Sequence, residues 1–318
     1  MPARQPVGQA GSVRRASSHV PATTDGGRLT FRQDYFADPA AFAALVALLS
    51  DTFGIDVSLQ DRFGGPDPTS MPFAYFDENG TCVANLSAFS MPMRVDARLV
   101  KAAGFQSGAV RPQWRGRGLY RELMRRALNW CDAQGFELGL LLTDKPAIYQ
   151  PYGFKVLPQH QVSGPAPVAA KPVGASRPVF LDNAGDLALV KRLLRERTPV
   201  SSIFAVAAQV EMFLLNGCFD PGIRLSYLDQ PESVVAWKSG EADCFRLLDV
   251  VGKTIPPLPF ILAALDQRPR RVEVCLPPDR LDWQGMPEPF PSHTSLMVRG
   301  DAADRLRQPV MLSPMAEF

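Results

Sequence analysis

The sequence predicts an α+β fold that is built twice along the chain. Its length of 318 residues makes two domains the natural expectation. The order of predicted elements in the first half is a helix, antiparallel strands, a glycine-containing loop, a helix and a strand, which is an α+β order. A similar order recurs in the second half without visible sequence identity. We therefore expect two mixed, mostly antiparallel sheets, each flanked by helices.

The first half opens with a helix and a hairpin. Asp38-Pro39 predicts the helix start, because an aspartate cap followed by proline is typical of a first helical turn. Glu78-Asn79-Gly80 lies between two apolar runs and predicts a tight hairpin turn. Further strands are predicted at 105–110 and 136–143, on either side of a long helix.

A loop rich in glycine and arginine begins that helix. From Leu119 onward, apolar residues recur at helical spacing. A helix N-terminus leaves its first amides unpaired and attracts anions, and Gly116 and Gly118 lack the Cβ that would keep a phosphate from the backbone. Between Arg111 and Arg126 there are six arginines and a single acid. The loop therefore predicts a pyrophosphate site.

The spacing Gln113-x-x-Gly116-x-Gly118 resembles the coenzyme A loop of the GNAT superfamily of N-acetyltransferases. The segment from Tyr149 to Phe154 is similar to the family's Tyr-x-x-x-Gly-Phe segment, whose tyrosine usually protonates the departing thiolate. The resemblance covers roughly residues 28–160. It implies an acyl-CoA N-acyltransferase fold and an acetyl-CoA-dependent N-acetyltransferase that acts on a primary amine, with no metal.

The resemblance also implies which residues bind acetyl-CoA. The backbone of the strand before the loop should bond to the pantetheine arm, and the loop should hold the phosphates. Asp144 is a further expected contact, although a turn or cap residue is the alternative there. The full expected set is Gly108, Ala109, Val110, Gln113, Arg115, Gly116, Arg117, Gly118, Leu119, Tyr120, Arg121 and Asp144.

Two residues are expected to take part in the chemistry. Tyr149 is the candidate general acid, because a phenol with a pKa near 10 suits protonation of a thiolate. The alternative is a half-buried aromatic ring that supports a turn. No side chain is an obvious general base. In the Eis-type aminoglycoside acetyltransferases, which this tandem order resembles, a terminal carboxylate reaches the site, and this chain also ends in a phenylalanine, Phe318. An apolar tail packed on its own domain is the alternative.

The second half is expected to be a degenerate copy. We predict a catalytic domain at 28–160, a linker rich in Pro, Ala and Gly at 161–178, and the degenerate copy at 179–318. In place of the glycine loop the copy carries Pro256-Pro257, which removes two backbone donors. Gly252-Lys253-Thr254 imitates a P-loop, but the glycine required five positions earlier is Leu247. Compared with the Eis-type enzymes, the sequence leaves no room for a third, sterol-carrier-like domain.

Composition limits the remaining possibilities. A net charge of +2 with arginines gathered in one loop argues against nucleic acid as a partner, and no apolar run approaches the roughly 20 residues that span a bilayer. Five widely spaced cysteines indicate reduced thiols and a cytoplasmic location, and the three histidines lack partners at metal spacing. Residues 1–27 are expected to be a disordered tail.

Two other functions are alternatives to acetyl transfer. The chain could be an acyl-CoA-binding sensor or scaffold without turnover. A dinucleotide-binding oxidoreductase is disfavoured because there is no early βαβ unit and no G-x-G-x-x-G. The expected partner is a small-molecule amine whose identity the sequence leaves open, and a homo-oligomer is equally open.

Overall fold

The computed structural model describes residues 28–168, 170 and 174–318, so the expected disordered tail lies outside the described residues. The helices are α1 (Pro39–Phe53), α2 (Leu119–Ala133), α3 (Ala184–Glu196), α4 (Glu211–Phe219) and α5 (Leu258–Ala264). The strands are β1 (Thr30–Gln33), β2 (Met71–Phe76), β3 (Cys82–Ser90), β4 (Met93–Val95), β5 (Arg98–Val100), β6 (Ala102–Val110), β7 (Leu138–Thr143), β8 (Lys155–Val156), β9 (His160–Pro165), β10 (Ser176–Val179), β11 (Phe204–Val206), β12 (Arg224–Asp229), β13 (Glu232–Gly240), β14 (Cys244–Gly252), β15 (Arg271–Val274), β16 (Met286–Pro289) and β17 (Ser295–Arg299).

The first sheet has seven strands in the order β1-β2-β3-β6-β7-β17-β8. Its pairs are antiparallel except for β6 and β7, which are parallel. Helix α2 packs on one face and α1 on the other. The predicted start of α1 is present, since the Asp38 side chain accepts hydrogen bonds from the amides of Ala40 and Ala41. The hairpin predicted around Gly80 joins β2 and β3.

The second sheet repeats the first. Its order is β10-β12-β13-β14-β15-β9-β16, again with one parallel pair, β14 and β15, next to the centre. Helix α5 packs on one face, while α3 and α4 pack on the other. The same strand order, the same parallel pair and the same placement of helices confirm the expected fold class of two α+β copies.

Each sheet contains one strand that comes from the other part of the chain. Strand β17 lies at 295–299, within the range expected for the second copy, but it pairs between β7 and β8 in the first sheet. The expected linker at 161–178 includes most of β9, which pairs with β15 and β16 in the second sheet, and β10. The pattern of prolines and small residues suggested a linker, yet Val162 and Ser163 are buried in the second sheet. The domain limits themselves stay a prediction.

A shared core joins the two halves. One hydrophobic cluster contains Phe89 and Leu140 from the first sheet together with Val234 and Leu248 from the second. A small third sheet, β11-β4-β5, also crosses between the halves. The halves are therefore packed as one body around the faces opposite to α2 and α5.

Candidate active site

The central feature of the site is a gap between two parallel strands. Strands β6 and β7 pair only from Ala102–Leu138 to Gly104–Leu140. Beyond Gly104, β6 continues to Val110 and β7 to Thr143 without further pairing to each other. We call this gap the notch. It leaves one edge of β6 open to a ligand, because the other edge is paired with β3.

A bulge shapes β6 beside the notch. The register between β3 and β6 shifts near Asn85, and Ser107 adopts φ +57°, in the left-handed region. The Asn85 amide donates to the Ser107 carbonyl at 2.9 Å and accepts from the Tyr35 hydroxyl at 2.7 Å. Both side chains are buried. Sequence reasoning missed this pair, although an asparagine in the middle of an apolar strand is a detectable signal.

The glycine loop ends in a helix terminus with free amides. Gly116 and Gly118 have φ +75° and +78°, which residues with a Cβ rarely adopt. A Cβ added to Gly116 would meet nothing within 4 Å, so the space in front of it is open. Within the described residues, neither glycine amide donates to a backbone carbonyl, and α2 has no side-chain cap. This arrangement is suited to an anion.

The arginines of the loop fall into two groups. Arg111 is held by Asp51 at 2.7 Å and by the Cys82 carbonyl, and Arg126 is held by Glu122 at 2.6 Å. The others form no salt bridge in the part of the chain that the structure describes. They are exposed and comprise Arg115, Arg117, Arg121 and Arg125. Their charge is therefore available to an anion bound at the loop.

The other expected coenzyme contacts differ in how exposed they are and in whether they already form hydrogen bonds. The Val110 carbonyl already accepts from the Arg115 side chain at 3.1 Å, and Ala109 is buried against α1. Gln113 is exposed in the turn before α2. Asp144 is exposed at the end of β7. Leu119 is half-buried against the core beneath α2.

Two tyrosines meet across the notch. The hydroxyl oxygens of Tyr120, in α2, and Tyr149, after β7, lie 2.8 Å apart. A Cβ on Gly108 of β6 would stand only 2.5 Å from the Tyr120 hydroxyl. On the other side, Thr143 at the end of β7 lies near enough to Tyr149 to affect its ionisation. The two phenols thus link β6 to β7 where these strands are unpaired. The Tyr120–Tyr149 contact was not expected from the sequence.

Burial sets the ionisation of both phenols. It raises the pKa of Tyr149, and the neighbouring Asp144 charge adds to this, while hydrogen bonding to Tyr120 and Thr143 opposes it. Burial raises the pKa of Tyr120 well above its usual value, and the charge and hydrogen bond of Tyr149 raise it further. Both phenols are therefore protonated at neutral pH, so Tyr149 has a proton to donate.

The last residue approaches the first sheet from the second half. The ring of Phe318 packs edge-on against Phe89, with ring centroids 5.1 Å apart. Phe89 covers Gly104, where β6 and β7 part. The expected role of a terminal carboxylate at Phe318 stays a prediction.

The corresponding gap in the second sheet is partly filled by the chain itself. Strands β14 and β15 pair from Cys244 to Leu247, and Leu248 follows where they diverge. The Ser313 hydroxyl donates to the Leu248 carbonyl at 2.9 Å, so the C-terminal segment covers that gap. Helix α5 then begins after Pro256-Pro257 rather than after glycines.

Comparison with known proteins agrees with this geometry. A family model described as an acetyltransferase (GNAT) domain matches residues 37–157. This stretch includes the diverging strands, the glycine loop and both tyrosines. Residues 37–157 form a GNAT acetyltransferase domain. No curated protein is significantly similar to the chain in sequence.

Solved structures of the same fold extend over both halves. A probable N-acyltransferase from Enterococcus faecalis V583 has a TM-score of 0.56 at 14% identity, with 89% of this chain and 75% of that chain covered. Eis1 from Mycobacterium abscessus has a TM-score of 0.55 at 14% identity, with 87% and 74% covered. A GCN5-related N-acetyltransferase from Kribbella flavida has a TM-score of 0.53 at 16% identity, with 88% of this chain and 72% of that chain covered. The tandem GNAT fold is thus shared with these proteins.

The GNAT domain makes the chain an acetyltransferase, and the acetyl donor of this family is acetyl-CoA. The open loop at Gly116, its free amides and the unpaired arginines are compatible with the coenzyme's phosphates. Among the described residues, no group of three or more His, Cys, Asp or Glu side chains is arranged to hold a metal ion. None of the helices in the described ranges has the length and apolar run that a membrane crossing requires.

Proposed function

We propose that the chain transfers an acetyl group from acetyl-CoA to the primary amine of a small molecule by direct attack on the thioester. The observation that carries this proposal is the contact of the Tyr149 phenol with Tyr120, beside the gap where β6 and β7 part and close to the glycine loop. The family supplies the acetyl donor, and the site supplies an acid for the leaving group.

Binding of the donor is assigned to the loop and to β6. The amides of Gly116 and Gly118 would hold the pyrophosphate, with exposed arginines such as Arg121 around it. The pantetheine arm would follow the open edge of β6 along Gly108 to Val110, and the thioester would then lie in the notch. Such positioning lowers the barrier because the reacting atoms are already oriented.

The chemical step then needs one acid and one proton acceptor. The amine nitrogen attacks the thioester carbonyl carbon, a C–N bond forms and the C–S bond breaks. Tyr149 gives its proton to the departing sulfur, and a strand amide near Val110 stabilises the oxyanion. The surplus proton of the amine passes to water or to a carboxylate, for which Phe318 is the predicted source.

The second copy is proposed to shape the acceptor pocket. Phe318 and the shared core bring the second half against the first-sheet face that carries Phe89. Ligand sites commonly lie where two domains meet. The acceptor would therefore enter from the side of the second copy, while the coenzyme binds on the side of α2.

A panel of small amines incubated with acetyl-CoA tests the proposal, with free thiol release and the mass of the product as readouts. We expect at least one amine to gain 42 Da, about the mass of an acetyl group less one hydrogen, in step with thiol release. Tight coenzyme A binding in calorimetry without any acetylated amine would instead favour the acyl-CoA-binding sensor.

Replacement of Tyr149 by Phe separates these functions further. We expect kcat to fall by about 10²- to 10⁴-fold, the usual contribution of a general acid, with the Kd for coenzyme A unchanged. A variant with wild-type kcat would remove Tyr149 from the mechanism. A variant that lost coenzyme A binding would indicate a structural role for its ring.

A further inference from the structure

The second phenol of the notch has no role in the reaction described so far. Tyr120 was expected only as a coenzyme contact, yet its hydroxyl lies 2.8 Å from the hydroxyl of Tyr149. At this O–O distance one hydroxyl must donate to the other. Which one donates decides where the proton of Tyr149 points.

The chemical step assigns the donor. Once Tyr149 has given its proton to the departing sulfur, its oxygen can only accept a hydrogen bond, and the Tyr120 hydroxyl lies 2.8 Å away from it. The directions of the pKa shifts agree with this assignment, since the hydrogen bond between the phenols lowers the pKa of Tyr149 and raises that of Tyr120.

We propose that Tyr120 is a positioning residue that fixes the Tyr149 hydroxyl through a donated hydrogen bond and stabilises the phenolate formed when Tyr149 protonates the thiolate. The proposal rests on the proposed function. When the Tyr149 oxygen accepts from Tyr120, the Tyr149 O–H can point toward the sulfur instead of toward Tyr120. As the O–H bond of Tyr149 breaks, negative charge grows on an oxygen that already accepts a hydrogen bond, which becomes stronger.

Gly108 is what allows this contact. The Tyr120 hydroxyl lies where a Cβ on residue 108 would come within 2.5 Å, closer than real Cβ contacts. Any other residue there would push the phenol away from β6. The glycine therefore serves the hydrogen bond between the tyrosines as well as the expected approach of pantetheine.

The other polar groups around the pair are few and identifiable. Thr143 and Asp144, at the end of β7, affect Tyr149, and Tyr152 affects Tyr120. Arg121 and Arg125, from α2, act on Tyr152, whose pKa they lower against burial. Of the α2 residues, all of which the structure describes, Tyr120 alone affects the pKa of Tyr149. The predicted change in titration is therefore attributable to the loss of one hydroxyl.

Tyr120→Phe tests the proposal, because the ring stays and only the hydroxyl is lost. With the best amine of the panel, we expect kcat to fall by about 10- to 100-fold, as for loss of a hydrogen bond to a charged group, with KM for acetyl-CoA unchanged. The alkaline limb of the kcat profile should move to higher pH, since Tyr149 loses the donor that lowers its pKa. Tyr75→Phe is the matched control, since Tyr75 packs against α2 through Glu122, away from the notch.

A second readout does not depend on turnover. In protein labelled with ¹³Cζ-tyrosine, the Tyr149 resonance should titrate at higher pH in Tyr120→Phe than in the wild type, and at an unchanged pH in Tyr75→Phe. Wild-type kcat together with an unshifted Tyr149 titration would overturn the proposal. If no amine is acetylated, the proposed function fails while the titration still decides whether Tyr120 donates to Tyr149.

Discussion

At the scale of single residues, the absence of a side chain at Gly108 is required for the contact between Tyr120 and Tyr149. Its Cα faces the Tyr120 hydroxyl, and a methyl group there would stand 2.5 Å from that oxygen. We expect Gly108→Ala to displace the phenol and to lower kcat by about 10- to 100-fold, like Tyr120→Phe, because both changes remove one hydrogen bond to a charged group. Thiol release at saturating acetyl-CoA measures this effect.

The double variant gives the sharper comparison. If Gly108→Ala acts only through Tyr120, combining it with Tyr120→Phe should cost no more than either change alone. Additive losses would mean that Gly108 acts independently, for example through the approach of pantetheine to β6. Circular dichroism checks that both single variants keep the fold.

Sequence reasoning reaches some of these residues and not others, for a physical reason. Gly116 and Gly118 could be predicted, since a glycine spacing and a helix start are local features. The Tyr120–Tyr149 contact spans 29 residues and depends on how α2 lies against β7, so the sequence indicated Tyr120 as a coenzyme contact and not as a partner of Tyr149. Asn85 was likewise missed because its partner, Ser107, comes from another strand.

At the scale of elements, α2 ends in glycines on both sides, and only one end is expected to bind the coenzyme. Gly116 precedes α2 at φ +75°, and Gly135 follows it at φ +73°; a Cβ at either position would meet nothing within 4 Å. Alanine should therefore strain both positions equally. We expect each change to lower the free energy of unfolding by about 1–2 kcal/mol.

The two alanine variants should differ in their affinity for coenzyme A. Gly116→Ala should weaken coenzyme A binding, because a methyl group would enter the open space in front of the loop amides, while Gly135→Ala should leave the Kd unchanged. Urea unfolding and calorimetry measure the two effects separately. Equal Kd values for both variants would exclude the loop amides from the coenzyme site.

The strands show where local patterns stop being informative. The starts of α1 and α2 and the β2–β3 hairpin follow from an Asp-Pro pair, a glycine-containing loop and a turn sequence, and these predictions are confirmed. Strand β17 lies in the part of the chain expected to form the second copy, but its apolar residues would suit either sheet. Its neighbours are chosen by tertiary packing, which no local pattern in the sequence records.

At the scale of the whole molecule, two carboxylates compete for one amide where the halves meet. Gln209 donates to Asp67, in the first half, at 3.1 Å and to Glu211 at 3.3 Å. Burial raises the pKa of Glu211, and the charge of Asp67 adds to this. Glu211 thus binds its proton more tightly in the folded state, and this contribution to stability is lost as pH rises through the folded pKa.

Glu211→Gln should therefore stabilise the protein at pH 7. We expect a gain below about 1 kcal/mol, since the carboxyl is partly exposed and its charge is screened. The gain should shrink as pH falls below the ordinary glutamate value, where the wild-type carboxyl is protonated in both states. Urea unfolding at pH 7 and at about pH 3.5, below the ordinary glutamate pKa, measures the difference, and a variant less stable at pH 7 would contradict the assigned sign.

The exchange of strands makes the two halves one folding unit. Met297, in β17, is fully buried in the core of the first sheet beneath α2, although it lies far from that sheet in the chain. We expect Met297→Ala to lower the free energy of unfolding by about 2–5 kcal/mol and to weaken coenzyme A binding through β7. In calorimetry, wild type and variant should each unfold in one transition, with coenzyme A raising the midpoint of the whole molecule.

Met286, on the edge strand β16, is 74% exposed and provides the control. Met286→Ala should change neither the free energy of unfolding nor coenzyme A binding. Two separate transitions, only one of them shifted by coenzyme A, would mean that β17 does not couple the halves.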